Sequence, residues 1–134
     1  MDYQNSINLI MGMTDYERPS STRGQRVRYN LDRITSFMSI LNDVHLETPC
    51  VHIAGTKGKG STSSMISSIL EEAGYLTGLF TSPHLHTFRE RIQISNTPIS
   101  ESDFSYLVQS LWDKMLYINK TSHDRVTVFE LLTA

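Results

Sequence analysis

Gly55-Thr56-Lys57-Gly58-Lys59-Gly60-Ser61 follows the apolar run Cys50-Val51-His52-Ile53-Ala54, and after it Met65, Ile66, Ile69, Leu70 and Ala73 recur with helical period. An apolar run ending in glycine predicts a short, buried parallel strand. The recurrence predicts a helix that ends at Gly74. Strand, glycine loop and helix, in that order, are the context in which a phosphate-binding loop is credible. Glycines let the backbone curl so that successive N–H groups point at phosphate oxygens. The helix start adds unpaired N–H groups and the positive end of its dipole. Lys59 supplies a mobile point charge for the β- and γ-phosphates, and Ser61 or Thr62 offers a hydroxyl to phosphate or Mg²⁺. The stretch therefore predicts a nucleoside triphosphate site, for ATP, made by Gly55, Thr56, Lys57, Gly58, Lys59, Gly60, Ser61 and Thr62, with Lys59 as the catalytic charge. The competing reading is a glycine-rich turn with incidental lysines; the flanking strand and helix weigh against it. The spacing departs from the general Gly-four-residues-Gly-Lys-Ser/Thr pattern: Gly55 stands only three positions before Gly58, and Gly60 separates Lys59 from Ser61.

Working outward, Thr77-Gly78-Leu79-Phe80-Thr81 predicts a second strand, so residues 50–81 read as one right-handed βαβ unit. Arg91-Ile92-Gln93-Ile94-Ser95 alternates and predicts another short strand. Ser100 and Asp103 form a capping-box pattern ahead of a helix whose apolar face carries Phe104, Leu107, Val108, Leu111, Met115 and Ile118. Upstream, Tyr3, Ile7, Ile10 and Met11 predict a first helix over residues 3–13. Asn30 suits the N-cap of a second, with Leu31, Ile34, Phe37, Met38 and Leu41 on one face. Between these helices, residues 14–29 contain Pro19, Ser20, Ser21, Gly24 and arginines 18, 23, 26 and 28, a basic loop that reads either as a linker or as a ligand-contacting loop. The last segment is ambiguous. Val126, Val128 and Phe129 favour a strand by propensity, whereas Thr127 with Glu130 is a capping-box pattern. We take it as a helix beginning at Thr127.

Composition narrows the function classes. The chain has 134 residues, of which 39% are hydrophobic, enough for a core, and a net charge of −2, which exerts no strong pull on nucleic acid or membranes. No apolar run approaches the roughly 18–20 residues of a membrane span. Met1-Asp2-Tyr3-Gln4-Asn5 lacks the basic and apolar regions of a secretory signal. One cysteine, Cys50, rules out an intramolecular disulfide and agrees with a reducing cytoplasm; its apolar surroundings predict a buried structural thiol. The apolar end, residues 126–134, is expected to continue into a core, so the chain reads as a fragment of something longer.

The shortened glycine spacing resembles the phosphate loop of the Mur ligase superfamily, and the extra Gly60 resembles its folate branch, folylpolyglutamate synthase and dihydrofolate synthase. Thr81-Ser82-Pro83-His84-Leu85, Phe88-Arg89-Glu90-Arg91-Ile92 and Thr127-Val128-Phe129-Glu130 resemble three further blocks of that family, in the right order. The resemblance implies an α/β fold of the Mur ligase central-domain type, a P-loop NTPase-like three-layer sandwich with a mainly parallel sheet, truncated here. Residues 1–134 would be the N-terminal part of the ATP-binding domain, without the rest of that domain or the C-terminal domain. It implies Mg²⁺ held by Ser82 and Glu130, directly or through water, since hard Mg²⁺ takes oxygen donors. Without it, Ser82-Pro83 reads as a plain turn and Glu130 as a helix cap. It places Arg28, Pro83 and His84 near a pterin-containing substrate. His84 and His86 do not complete a zinc pattern.

The implied activity is an ATP-dependent amide ligase. A folate or dihydropteroate carboxylate attacks the γ-phosphate, and the resulting acyl phosphate is displaced by the amino group of L-glutamate. The expected setting is cytoplasmic one-carbon metabolism, with small-molecule partners, no nucleic acid or membrane, and a monomeric complete enzyme. Alternatives are another Mur-type amino-acid ligase, against which Gly60 and residues 81–85 argue, or a nucleotide-binding module inactive as this fragment.

Overall fold

The computed structural model describes residues 1–13, 31–121 and 125–134. The chain divides into two compact units, Met1–Pro49 with Ser105–Ala134, and Cys50–Phe104.

The first unit is helical. Helix α1, Tyr3–Met11, starts where the Asp2 side chain accepts from the Asn5 N–H at 2.8 Å, and it buries Ser6 and Ile10. Helix α2, Leu31–Ile40, buries Phe37 and Met38, and Leu41 just beyond it is also buried. Leu31, assigned to the same stripe by spacing, is 79% exposed. Asn42 and Asp43 take left-handed backbone angles (φ 61° and 51°), a conformation these two residue types tolerate well, and the helix ends there. Helix α4, Glu101–Thr121, begins in the second unit and contributes Val108, Met115 and Ile118 to the core of the first. Ser100 caps it: its hydroxyl accepts from the Asp103 N–H at 3.0 Å and donates to the Asp103 carboxylate. Helix α5, Val128–Thr133, follows the reciprocal cap of Thr127 and Glu130 and buries Val128, Leu131 and Leu132. The helical reading of this segment therefore holds, because the cap satisfies backbone donors that an isolated strand would leave open. Each fully buried apolar side chain contributes roughly 1.5–3 kcal/mol.

The second unit packs helix α3, Lys59–Glu72, against a three-stranded sheet of order β1-β2-β3. Strand β1 is Gly78–Phe80, β2 is Ile92–Ile94 and β3 is Thr97–Pro98. Both pairings are antiparallel. Ser95 and Asn96, both at positive φ (46° and 57°), form the two-residue turn between β2 and β3, the geometry that matches strand twist. Pro98 sits on the edge strand, where its missing N–H costs no ladder bond. Ser67 and Thr77 hydroxyls meet at 3.3 Å in the buried seam leading from α3 into β1.

Three expectations are corrected here. Residues 50–54 form no ladder, no parallel pair occurs among the described residues, and the βαβ unit is accordingly not closed. A parallel strand is stabilised by neighbours on both edges and cover on both faces, and Val51 is 62% exposed with neither. The mainly parallel sheet is thus replaced, within these residues, by a small antiparallel one. Cys50 is exposed, not buried, for the same reason. The apolar stripe of α3 shares this exposure: Met65 and Ile69 are 60% and 66% accessible.

Candidate functional site

The glycine loop lies exposed in the second unit and runs into α3 as its spacing predicts. Gly58 is the N-cap at φ +76°, a left-handed conformation that a side chain disfavours, and no side chain caps the helix. Lys59, the first helical residue, folds its ammonium back onto the Gly55 carbonyl at 2.7 Å. The Thr62 N–H and hydroxyl both bind the Gly58 carbonyl at 2.9 Å, so this hydroxyl is engaged within the helix while Ser61 stays exposed. Gly60 has an ordinary φ, and a Cβ built there meets nothing within 4 Å. No protein atom requires glycine at this position. The loop thus offers an uncapped helix start with positive dipole, flanked by Lys57 and Lys59, which suits an anion.

The second site segment, residues 81–91 of the same unit, is tied at its ends: the Thr81 N–H donates to the Arg91 carbonyl at 3.0 Å. Ser82 and Pro83 are exposed, and the bond between them is cis. A 3-10 turn, Phe88–Arg91, closes the segment behind a Thr87 capping box. Its Glu90 carboxylate accepts from three successive N–H groups, those of Leu85, His86 and Thr87, at 2.8, 2.9 and 2.7 Å. The backbone bonds from Leu85 and Thr87 pull the Glu90 carboxyl down to about 2. Arg91, buried, donates from Nε to His84 Nδ1 at 2.8 Å, and its guanidinium lies 5.7 Å from the Phe88 ring centre. The His84 ring packs on Phe88 at 4.3 Å. Reading the sequence missed the roles of Glu90 and Arg91. The Thr87-x-x-Glu90 spacing was the available signal for the first, and nothing local marks the second.

Glu130 belongs to the first unit. Arg33 grips its carboxylate with Nε at 3.0 and 2.8 Å and Nη2 at 2.7 Å, and Thr127 adds its N–H and hydroxyl, both at 2.9 Å. The two side chains are only 6% and 12% exposed. Burial pushes the Glu130 carboxyl up, but the Arg33 and Thr127 hydrogen bonds outweigh it and hold the group below its ordinary value. Arg33 was legible in principle: it shares the i, i+4, i+8 row with Phe37 and Leu41, so a buried arginine needing an anion was written into the stripe.

The two residues proposed for Mg²⁺ lie one in each unit. A hydroxyl and a carboxylate are the oxygen donors that Mg²⁺ takes. The Glu130 oxygens are already filled by five contacts, so a metal or its water would have to displace Arg33 or Thr127 from this carboxylate. Among the described residues, no group of three or more His, Cys, Asp or Glu could hold a metal. Arg28 lies outside the described residues. No described helix is long and apolar enough to cross a membrane.

No family model matches the sequence. The chain is 39% identical over 108 residues, 81% of its length, to the dihydrofolate synthase/folylpolyglutamate synthase of Bacillus subtilis (strain 168). A folylpolyglutamate synthase from Mycobacterium tuberculosis complexed with ADP superimposes with a TM-score of 0.85, at 28% identity over 98% of this chain and 27% of that one. The chain belongs to the folylpolyglutamate synthase and dihydrofolate synthase family. A folylpolyglutamate synthase complex with AMPPCP and folate matches 99% of this chain and 30% of its own, with a TM-score of 0.83 and 28% identity. The chain thus spans about a quarter of the length of the folylpolyglutamate synthases it matches.

Proposed function

We propose that this chain is the nucleotide-binding part of an ATP-dependent ligase that joins L-glutamate to a folate or dihydropteroate carboxylate through an acyl phosphate. The glycine loop carries this reading: an uncapped helix start with Gly58 at left-handed φ, Lys59 beside it and open space over Gly60, in a chain similar to synthases held with ADP or with AMPPCP and folate.

Each residue then has a task. Gly55, Thr56, Lys57, Gly58, Gly60 and Ser61 offer backbone N–H groups and the Ser61 hydroxyl to the phosphates, and Thr62 stiffens the first turn. Gly60 leaves room for a phosphate oxygen that any Cβ would crowd. Lys59 exchanges the Gly55 carbonyl for the β- and γ-phosphates, neutralising charge as the γ-phosphoryl group passes to the carboxylate. A free carboxylate resists attack because it is anionic and its oxygen leaves badly; phosphorylation repairs both faults. Pro83 and His84 face the substrate side in this reading, as does Arg28. Ser82 and Glu130 are the residues that would hold Mg²⁺, Glu130 only in exchange for Arg33 or Thr127, and the ion when bound neutralises phosphate charge. The complete domain would then supply the missing parallel strands beside residues 50–54. The complete enzyme would be a cytoplasmic monomer.

ADP release by the complete enzyme tests this reading, comparing dihydropteroate with a reduced folate, each with and without glutamate. Release that needs one of these substrates and glutamate is expected; release with neither refutes the folate ligase. A second reading, a nucleotide-binding module without ligase activity, is favoured by the quarter-length span. It predicts a MgATP thermal shift in this chain without ligation.

A further inference from the structure

The first unit carries a groove of about 310 Å³, lined by the end of α1, the second half of α4 and Arg125. That volume lies at the small end of the ~300–1,000 Å³ typical of small-molecule pockets. Its apolar lining comes from both helices. Trp112 and Met115 of α4 share a helix face by their spacing, and Leu9 and Met13 add to it from α1 and just beyond. Met115 is buried, whereas Trp112 is half-buried and its indole N–H has no hydrogen-bond partner among the described residues. Gly12 keeps the groove open. Its φ of −81° is ordinary right-handed backbone, so conformation does not require glycine there. A Cβ built on it stands 3.5 Å from the Leu9 carbonyl oxygen, an ordinary contact, so a side chain would be tolerated and would take up groove volume.

The polar lining is rich in donors. The Asn119 Oδ1 accepts from the Val126 N–H at 2.8 Å and the Asn8 Oδ1 from Gln4 Nε2 at 3.1 Å, so each amide keeps its NH₂ end for another partner. Arg125 is exposed, with no hydrogen bond or ion pair to any described residue, and no Asp or Glu lines the groove. The lining therefore carries a single positive charge beside an indole. A guanidinium takes a carboxylate through two parallel N–H bonds, and an indole packs on an aromatic ring. One charge balances a monoanion and leaves a phosphate dianion half-neutralised. We propose that this groove is a binding site for a small aromatic monocarboxylate, with Arg125 taking the carboxylate and Trp112 the ring. The glycine loop lies in the other unit, and the inference does not rest on the ligase reading.

Trp112 supplies the readout. It is the only tryptophan of the chain, so the single indole ¹H–¹⁵N cross-peak of the ¹⁵N-labelled chain reports on the groove without assignment. Hydrocinnamate is titrated in, and separately hydrocinnamyl alcohol, which keeps the ring without the charge, and acetate, which keeps the charge without the ring. A saturable shift of the indole peak with hydrocinnamate is expected, at an affinity about tenfold tighter than with either control, the scale of one hydrogen bond to a charged group. Arg125→Gln is expected to reduce hydrocinnamate to the level of the alcohol, and Gly12→Leu to abolish the saturable shift while far-UV circular dichroism is retained. No shift, a shift that does not saturate, or an equal response to the alcohol overturns the proposal. So does an unchanged affinity in Arg125→Gln or in a folded Gly12→Leu. Should Gly12→Leu fail to fold, Arg125→Gln decides, since Arg125 is exposed and its side chain supports no other residue described.

Discussion

At Gly58 the backbone stands at φ +76° with no atom near a would-be Cβ. Conformation, and not crowding, therefore demands glycine there. Gly58→Ala is expected to cost about 1–2 kcal/mol for placing an alanine in the left-handed region, and to abolish the MgATP-induced thermal shift of this chain. An unchanged shift would separate the loop conformation from nucleotide binding. Lys59 differs, since it is exposed and its ammonium rests on a carbonyl of its own loop. Lys59→Ala should leave the melting temperature of this chain nearly unchanged and lower ADP release by the complete enzyme about a hundredfold or more; near-normal release would remove Lys59 from the mechanism.

Elements here are held by charge at their ends as much as by apolar packing. Helix α5 is six residues long and depends on Thr127 and Glu130, and Arg33 of α2 anchors the same carboxylate. Removing one partner of a buried pair leaves the other unpaired, so Arg33→Ala is expected to destabilise the chain by about 3 kcal/mol, measured by urea unfolding. The folded-state Glu130 carboxyl lies below its ordinary value of 4.5. Its stabilising effect is therefore complete above pH 4.5 and lost as pH falls through the folded value. The segment closed by Glu90 follows the same sign: its hold is complete above pH 4.5 and lost as pH falls toward about 2. Amide exchange at Leu85, His86 and Thr87 should stay slow at pH 4 in wild type and become fast in Glu90→Gln; equal rates in both would show that Glu90 does not hold the loop.

Across the whole molecule, local signals were legible and long-range ones were not. Caps at Ser100 and Thr127, the glycine loop running into α3 and most of the α4 stripe follow from short sequence spacings and are realised, with Leu107 of the stripe 40% exposed. The run 50–54 shows the limit. Its composition specifies an apolar extended segment, but strand formation needs partners that no local pattern supplies. The β2–β3 turn at Ser95-Asn96 escaped for a milder reason, as two non-glycine residues at positive φ carry a weaker signal than Asn-Gly.

By itself the sequence determined the glycine loop leading into α3, the helix starts and the family resemblance, because caps, glycines and helical periodicity act over a few residues. Only the tertiary structure decided that Glu130 is gripped by Arg33, 97 positions away, and that the buried Arg91 donates to His84 Nδ1. Both depend on desolvated charges finding partners once the chain has folded, and a buried charge takes whichever counter-group the fold brings within reach.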